Sequence, residues 1–282
     1  MVSKKLVRLN KEKTWLKREK YGGKTCEVAF SSTKNDFSPF ARDLARLEQG
    51  EPLDYIIGWR EFLGCKIDLS AKPLIPREET EFWVGETIKE LNLEAKPPSG
   101  RKPQLGGLAS KPLNVLDLFA GSGCIGLAVL KHIPNAKVTF GDLYPINKRT
   151  IKTDIFSNIK GKFDIIFANP PYIPTKKSGS TSLDEARDKL LTASHVQKSV
   201  KDWEPKEALY AGSDGLAIIK KFLKQAKDHL NVGGLIYLEF GYGQKLAITK
   251  LLKQSGYTHY QFNKDQFGKW RWVVIVGQIV RK

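Results

Sequence analysis

Cysteine is scarce in this chain. Cys26, Cys65 and Cys124 stand far apart among 282 residues, and none belongs to a Cys-x-x-Cys or Cys/His group. Neither a disulfide framework nor a zinc site is therefore expected. The four histidines, His132, His195, His229 and His259, are equally scattered, and no metal is assigned. No apolar run approaches the roughly 20 residues that cross a bilayer, and no apolar signal stretch opens the chain. A cytoplasmic, monomeric protein with no membrane partner is the expectation. Internal repeats are also missing, and acids are in deficit: 30 Asp and Glu face 47 Lys and Arg, a net charge of +17. A field of that sign attracts polyanions weakly, nucleic acid or ribosomal surfaces among them. The lysines are mostly single and no basic stripe interleaved with aromatics is seen, so a solvated surface accounts for most of the excess.

What is present is ordinary for a globular protein: 41% hydrophobic and 27% charged residues, enough length for one sizeable core and a small accessory piece. Residues 1–55 read as a short helical segment, in which Phe40, Leu44 and Leu47 share a face. Residues 56–93 read as a glycine-punctuated β-hairpin from Ile56 to Leu74, followed by a helix from near Glu78 to about Leu93. Residues 94–112, rich in proline, glycine and lysine, predict a flexible linker. From 113 to 282 apolar strands (Asn114–Phe119, Val138–Gly141, Phe163–Ala168, Leu235–Phe240) alternate with helical patterns (Cys124–His132, Leu216–Leu230, Gln244–Ser255), and Tyr257–Ile279 predicts a closing hairpin. Such alternation implies an α/β fold: a mostly parallel sheet, helices on both faces, and ligands beyond the carboxyl ends of the strands.

Two of those strand ends carry chemistry. After the first, Phe119-Ala120-Gly121-Ser122-Gly123 forms a small-residue turn into a helix, where glycines let a ligand approach the backbone. Nineteen residues beyond Gly123, Asp142 closes the next strand where such folds hold the two hydroxyls of a ribose. Asp117 orients the turn and is placed to meet a cationic group of the cofactor through water. A nicotinamide dinucleotide stays open on this evidence, because Gly121, Gly123 and Gly126 overlap the pyrophosphate fingerprint.

The other strand end decides against it. Phe163–Ala168 runs into Asn169-Pro170-Pro171-Tyr172. An amide or exocyclic amino nitrogen is a poor nucleophile, its lone pair being delocalised into the adjoining π system. The side-chain oxygen of Asn169 and the carbonyl of Pro170 can accept the two N–H hydrogens of such a group and draw the pair toward a sulfonium methyl. Two prolines fix those acceptors before substrate arrives, and Tyr172 offers a flat face to a planar group. Asn169, Pro170 and Tyr172 are the candidate catalytic residues, with Pro171 completing the acceptor site. Phe119, Ala120, Gly121, Ser122, Gly123, Asp142 and Asn169 are the candidate cofactor contacts, and the family resemblance set out next implies that this cofactor is S-adenosylmethionine.

At these residues the chain resembles the HemK/PrmC family, the N5-glutamine methyltransferases of the Gly-Gly-Gln loop of class I peptide chain release factors. The likeness spans roughly residues 41–277. It includes Glu51–Gly64, Leu74–Glu81, Trp203–Leu209, Gly212–Leu216, Leu238–Gly241 with Gln244, and Asp265–Arg271. The resemblance implies a class I S-adenosylmethionine-dependent methyltransferase fold, Rossmann-like with a seven-stranded-type sheet, and a release factor as protein partner. It also makes Arg77 and Glu78 candidate supporting residues. Three departures stand out. Asp154 follows Asp142 after only twelve residues, which predicts a shortened or lost strand/helix unit and leaves a role for Asp154 or Ile155 beside the adenine open. The N-terminal helical part is short, and Lys176–Val200 is longer than its family counterpart. Two alternatives remain at this point: N6-methylation of adenine in RNA or DNA, which presents a similar planar amino group, and a noncatalytic binding protein built on the same fold.

Overall fold

The computed structural model describes residues 4–22, 39–95, 112–175 and 198–277. The linker expected at 94–112 and the insertion at 176–200 lie almost entirely outside the described residues. Three helices come first: α1 (Lys4–Tyr21), α2 (Pro39–Glu48) and α3 (Leu53–Ile57). Leu16, Leu47 and Ile56 are buried against one another, with Phe40 and Leu44 packed beside them, as the spacing of the apolar residues in α2 requires.

The hairpin is shorter than its sequence pattern implies. Strands β1 (Trp59–Phe62) and β2 (Cys65–Asp68) pair from Trp59↔Asp68 to Phe62↔Cys65. Leu63 and Gly64 both take positive φ, 47° and 73°, which suits the tight connection of two twisted strands. Ile56 and Ile57, read as the start of that hairpin, instead close helix α3, whose C-cap is Gly58 at φ 90°. The reason is the consecutive apolar run Tyr55-Ile56-Ile57. Tyr55 buries toward the main sheet and Ile56 toward α1 and α2, a divergence that helical geometry delivers.

Helix α4 (Glu78–Ala95) leads to a mixed sheet formed by β3 (Leu113–Leu118), β4 (Ala136–Asp142), β5 (Thr150–Lys152), β6 (Phe163–Ala168), β7 (Leu230–Glu239), β8 (Tyr260–Lys264) and β9 (Trp270–Val276). Among the described residues its order is β5-β4-β3-β6-β7-β9-β8, parallel except for β9, which runs antiparallel to both neighbours. Helix α5 (Cys124–His132) follows β3, and α6 (Lys198–Trp203), α7 (Ala217–Ala226) and α8 (Lys245–Gln254) lie later in the chain. Strand alternation sorts the core into two layers. Val115, Ile165, Phe167 and Tyr237 pack under α4 and α5, whereas Leu116, Leu118, Ile166, Ile236 and Leu238 pack under α7 and α8. Strand β7 starts earlier than its apolar pattern suggests, because Asn231–Gly234 form an irregularity between the pairs Phe163↔Leu230 and Ile165↔Leu235.

The shortened unit proves to be β5. The strand survives as three residues, and the 143–149 connection carries no helix. A parallel crossover normally needs a dozen residues or more. Here β5 pairs only with the last three residues of β4, Phe140↔Thr150 to Asp142↔Lys152, so the chain climbs back about two residue steps, roughly 7 Å.

Since β4 lies on one side of β3 and β6 on the other, the strand order reverses between β3 and β6, and Leu118 pairs with Ala168. The turns beginning at Phe119 and Asn169 therefore leave the sheet side by side at its switch point. No helix among the described residues is long and apolar enough to cross a membrane.

Gly126, third glycine of the turn region, is a packing residue. A Cβ there would run into the Phe140 ring and come within 2.9 Å of Val138 Cγ1. Alanine favours helix by about 1 kcal/mol over glycine, yet overpacking costs about 1–3 kcal/mol. Gly126→Ala is expected to lower the urea midpoint; an increased midpoint would show that the helix sits looser on β4 than described.

Candidate active site

Alternating left-handed residues shape the turn after β3: Phe119 (φ 64°), Gly121 (50°) and Gly123 (78°). A positive φ at Phe119 is costly for a side chain of that size, and its ring is held edge-on by Phe222 at 6.1 Å. The curl points the Gly121 N–H at Asp142, which accepts it on Oδ2 at 2.8 Å and accepts the Tyr144 N–H on Oδ1 at 2.8 Å. Each carboxylate oxygen keeps a further lone pair for a donor. A cavity of about 510 Å³ opens over this turn, walled by Phe119, Ala120, Gly121, Ser122, Asp142 and Asn169 among others. Gly123 is not on that wall; it caps α5 and faces the Phe140 ring.

Short as it is, β5 serves this cavity. Thr153 N–H donates to the Asp142 carbonyl at 2.8 Å, and Asp154 and Ile155 stand in the wall beside Tyr144. Ile155 takes φ 56°, an outlier for a β-branched residue, and its carbonyl accepts the Thr153 hydroxyl at 3.0 Å. Asp117 sits beneath the turn. Its Oδ2 accepts the Gly126 N–H at 2.8 Å, while Oδ1 has no hydrogen-bond partner among the described residues. Burial pushes this carboxyl up to about 7, against the pull of the Gly126 N–H.

A second cavity, of about 320 Å³, lies on the other side of the Asn169–Tyr172 turn. Pro170, Tyr172, Val200 and Glu239 line it, and it shares Leu74, Arg77, Asn169, Pro171 and Ala208 with the larger one. Tyr172 is pinned at both ends. Its carbonyl accepts from Gln244 Nε2 at 3.0 Å, and its hydroxyl donates to Glu239 Oε1 at 3.2 Å. Asn169 Nδ2 donates to Thr80 Oγ1 at 3.4 Å. Burial and the Glu239 charge push the Tyr172 phenol upward, so it remains a donor at neutral pH.

Glu239 lies in the Leu238–Gly241 segment that carries the resemblance, yet no role for it follows from the sequence. Alternation along β7 turns Leu235, Tyr237 and Glu239 toward α4, and the Glu239 Oε2 atom accepts from Thr80 Oγ1 at 2.8 Å and Trp83 Nε1 at 2.7 Å. Burial raises its carboxyl, while Arg271 and these donors oppose the rise. Arg271 is in turn held by Asp265 at 3.1 Å. The available signal was an acid ending an otherwise apolar strand. Of the two supporting candidates, Arg77 lines both cavities and pairs with buried Glu204 at 2.7 Å. Glu78 lines neither and faces the groove toward the N-terminal helices.

No family model matches the chain. It is 34% identical over 249 residues to a release factor glutamine methyltransferase of Francisella tularensis, covering 82% of this chain and 76% of that protein. It is likewise 34% identical over 262 residues to the one from Streptococcus pneumoniae, covering 86% and 81%. The chain belongs to the release factor glutamine methyltransferase family. Its α/β architecture is the class I methyltransferase fold, whose members generally use S-adenosylmethionine. A solved protein-(glutamine-N5) methyltransferase from Alicyclobacillus acidocaldarius is similar at TM-score 0.41 and 19% identity, over 73% of this chain and 95% of that one, a likeness too loose to add to the relationship.

For this family member the bare oxygen of Asp117 has a measurable consequence. The folded carboxyl stays protonated up to about pH 7, whereas the unfolded one ionises near about 3.9. Native stability should thus fall as pH rises between those values. Asp117→Asn removes that slope. Its melting temperature relative to the unaltered chain, both without ligand, is expected to be more favourable at pH 8 than at pH 5; an equal difference at both would contradict the buried-charge account.

Proposed function

We propose that this chain transfers the methyl group of S-adenosylmethionine to the side-chain nitrogen of a protein glutamine, that of the Gly-Gly-Gln loop of class I release factors. The observation carrying this reading is that Asn169 stands in the wall common to two cavities, so one polar side chain can face donor and acceptor together. Family membership supplies the acceptor class.

The larger cavity suits the cofactor. Asp142, still able to accept after its two backbone bonds, fits a vicinal diol. Phe119, Ala120, Gly121 and Ser122 offer a close-approach backbone surface, to which the Gly123 cap gives its shape. Asp154 and Ile155 wall the far side. Asp117, buried beneath the turn, supports its shape through the Gly126 N–H. When bound, S-adenosylmethionine supplies an electrophilic methyl on a sulfonium.

The chain's own residues prepare the nucleophile. Asn169 Oδ1 and the Pro170 carbonyl accept the two amide hydrogens and hold the nitrogen away from planarity. Pro170 and Pro171 restrict the turn, lowering the entropy lost on binding. Tyr172, fixed through Glu239 and Gln244, presents its ring to the flat amide. Methylation makes the nitrogen acidic, so no base is needed in the transition state. With a release factor as substrate, the chain would work in the cytoplasm.

With labelled S-adenosylmethionine, label is expected on a release factor and not on one whose Gly-Gly-Gln glutamine is replaced. Label on the replaced protein, or on added RNA or DNA instead, would reject the reading. Asn169→Ala is expected to lower kcat by roughly 10²-fold, as loss of one preorganised polar contact does. Undiminished turnover would remove Asn169 from the mechanism.

A further inference from the structure

We propose that Thr80 and Glu239 are positioning residues that decide which end of the Asn169 carboxamide faces the acceptor, an inference resting on the amide-methylating role above. The two ends of a carboxamide are nearly alike in shape and opposite in hydrogen bonding. With Oδ1 toward the acceptor cavity the site grips an NH₂ group; with Nδ2 there, donor meets donor. The asparagine itself has no preference, so something around it has to choose.

The choice is made by a chain of bonds whose direction is set at its far end. Trp83 Nε1–H can only donate, and it donates to Glu239 Oε2 at 2.7 Å. An oxygen that takes this N–H acts as an acceptor, and a proton on the carboxyl group would sit on Oε1. Thr80 Oγ1 lies 2.8 Å from the same oxygen, so the single hydroxyl proton of Thr80 is committed to Glu239. Only lone pairs of that hydroxyl then remain for Asn169, which must turn its Nδ2 hydrogens toward Thr80, as the 3.4 Å contact records. Oδ1 is left for the acceptor.

Burial makes the direction binding. Thr80 and Glu239 are 2% and 1% exposed, so water is not at hand to replace a lost partner. Burial raises the Glu239 carboxyl, and Arg271, tied to Asp265, opposes that rise. The same carboxylate receives the Tyr172 hydroxyl on its other oxygen at 3.2 Å. One buried carboxyl group thereby links both ends of the Asn169–Tyr172 turn.

The test exploits the mirror-image ligand. In a release factor whose Gly-Gly-Gln glutamine is replaced by glutamate, the side chain presents acceptors where the native one presents donors. Affinities for the glutamine and glutamate forms are measured by calorimetry with S-adenosylhomocysteine present, for the unaltered chain, Thr80→Val and Thr80→Ser. The unaltered chain is expected to prefer the glutamine form. Thr80→Val, which keeps the shape and removes the hydroxyl, frees Asn169 to turn and should shrink that preference about tenfold, an effect on the scale of one unmatched polar pair. It should also lower kcat by about tenfold or more, and Thr80→Ser should restore both. A Thr80→Val preference equal to that of the unaltered chain, or a Thr80→Ser chain as defective as Thr80→Val, overturns the inference. The methylating role is judged separately, by transfer from the unaltered chain in the same assay; absence of that transfer would overturn both.

Discussion

The carboxylate of Glu239 lies at the end of β7, buried under the first turns of α4, and the active-site edge of the sheet is arranged around it. A buried charge is costly unless its oxygens are filled and an opposite charge lies near. Here Thr80 and Trp83 fill one oxygen, Tyr172 reaches the other, and Arg271 supplies the counter-charge. Those partners come from α4, the turn after β6, and β9. Satisfying one anion therefore fixes a helix and two parts of the sheet relative to each other, and the Asn169–Tyr172 turn sits at their junction. Trp83 also stacks on Trp272 and packs against Phe167, so the polar link and the apolar core reinforce the same placement.

The other side of the site shows what the fold can shed. The unit containing β5 has lost its crossover helix, yet its strand still pairs with Phe140–Asp142 at the carboxyl end of β4. That is the level at which Asp142 meets the larger cavity, and the three residues after β5 join its wall. A strand kept only where it borders the site supplies the cavity with Asp154 and Ile155 while the distant part of the sheet edge goes without a neighbour.

Much of this was legible because the signals are local. The glycine turn after β3, Asp142 at a strand end, and the proline pair after β6 each declare themselves within a few residues, and alternating strands and helices imply the parallel sheet that joins them. The order of strands explains why the two turns meet. What escaped was of another kind. Thr80 and Glu239 are 159 positions apart, and no periodicity in either segment names the other as partner. Ile56 and Ile57 looked extended because apolar runs do not distinguish a short buried helix from a strand. The start of β7 was hidden because Asn231–Gly234, with two glycines, carry no strand pattern and are accommodated as an irregularity within the strand.

The most direct test is a crystal structure of the chain with S-adenosylhomocysteine and a release factor peptide bearing the Gly-Gly-Gln glutamine, at a resolution that distinguishes amide nitrogen from oxygen by its contacts. The account predicts the glutamine nitrogen in the smaller cavity, about 3 Å from both Asn169 Oδ1 and the Pro170 carbonyl, with Asn169 Nδ2 still on Thr80. A glutamine bound elsewhere, or an Asn169 that turns its nitrogen to the substrate while Thr80 remains on Glu239, would contradict it.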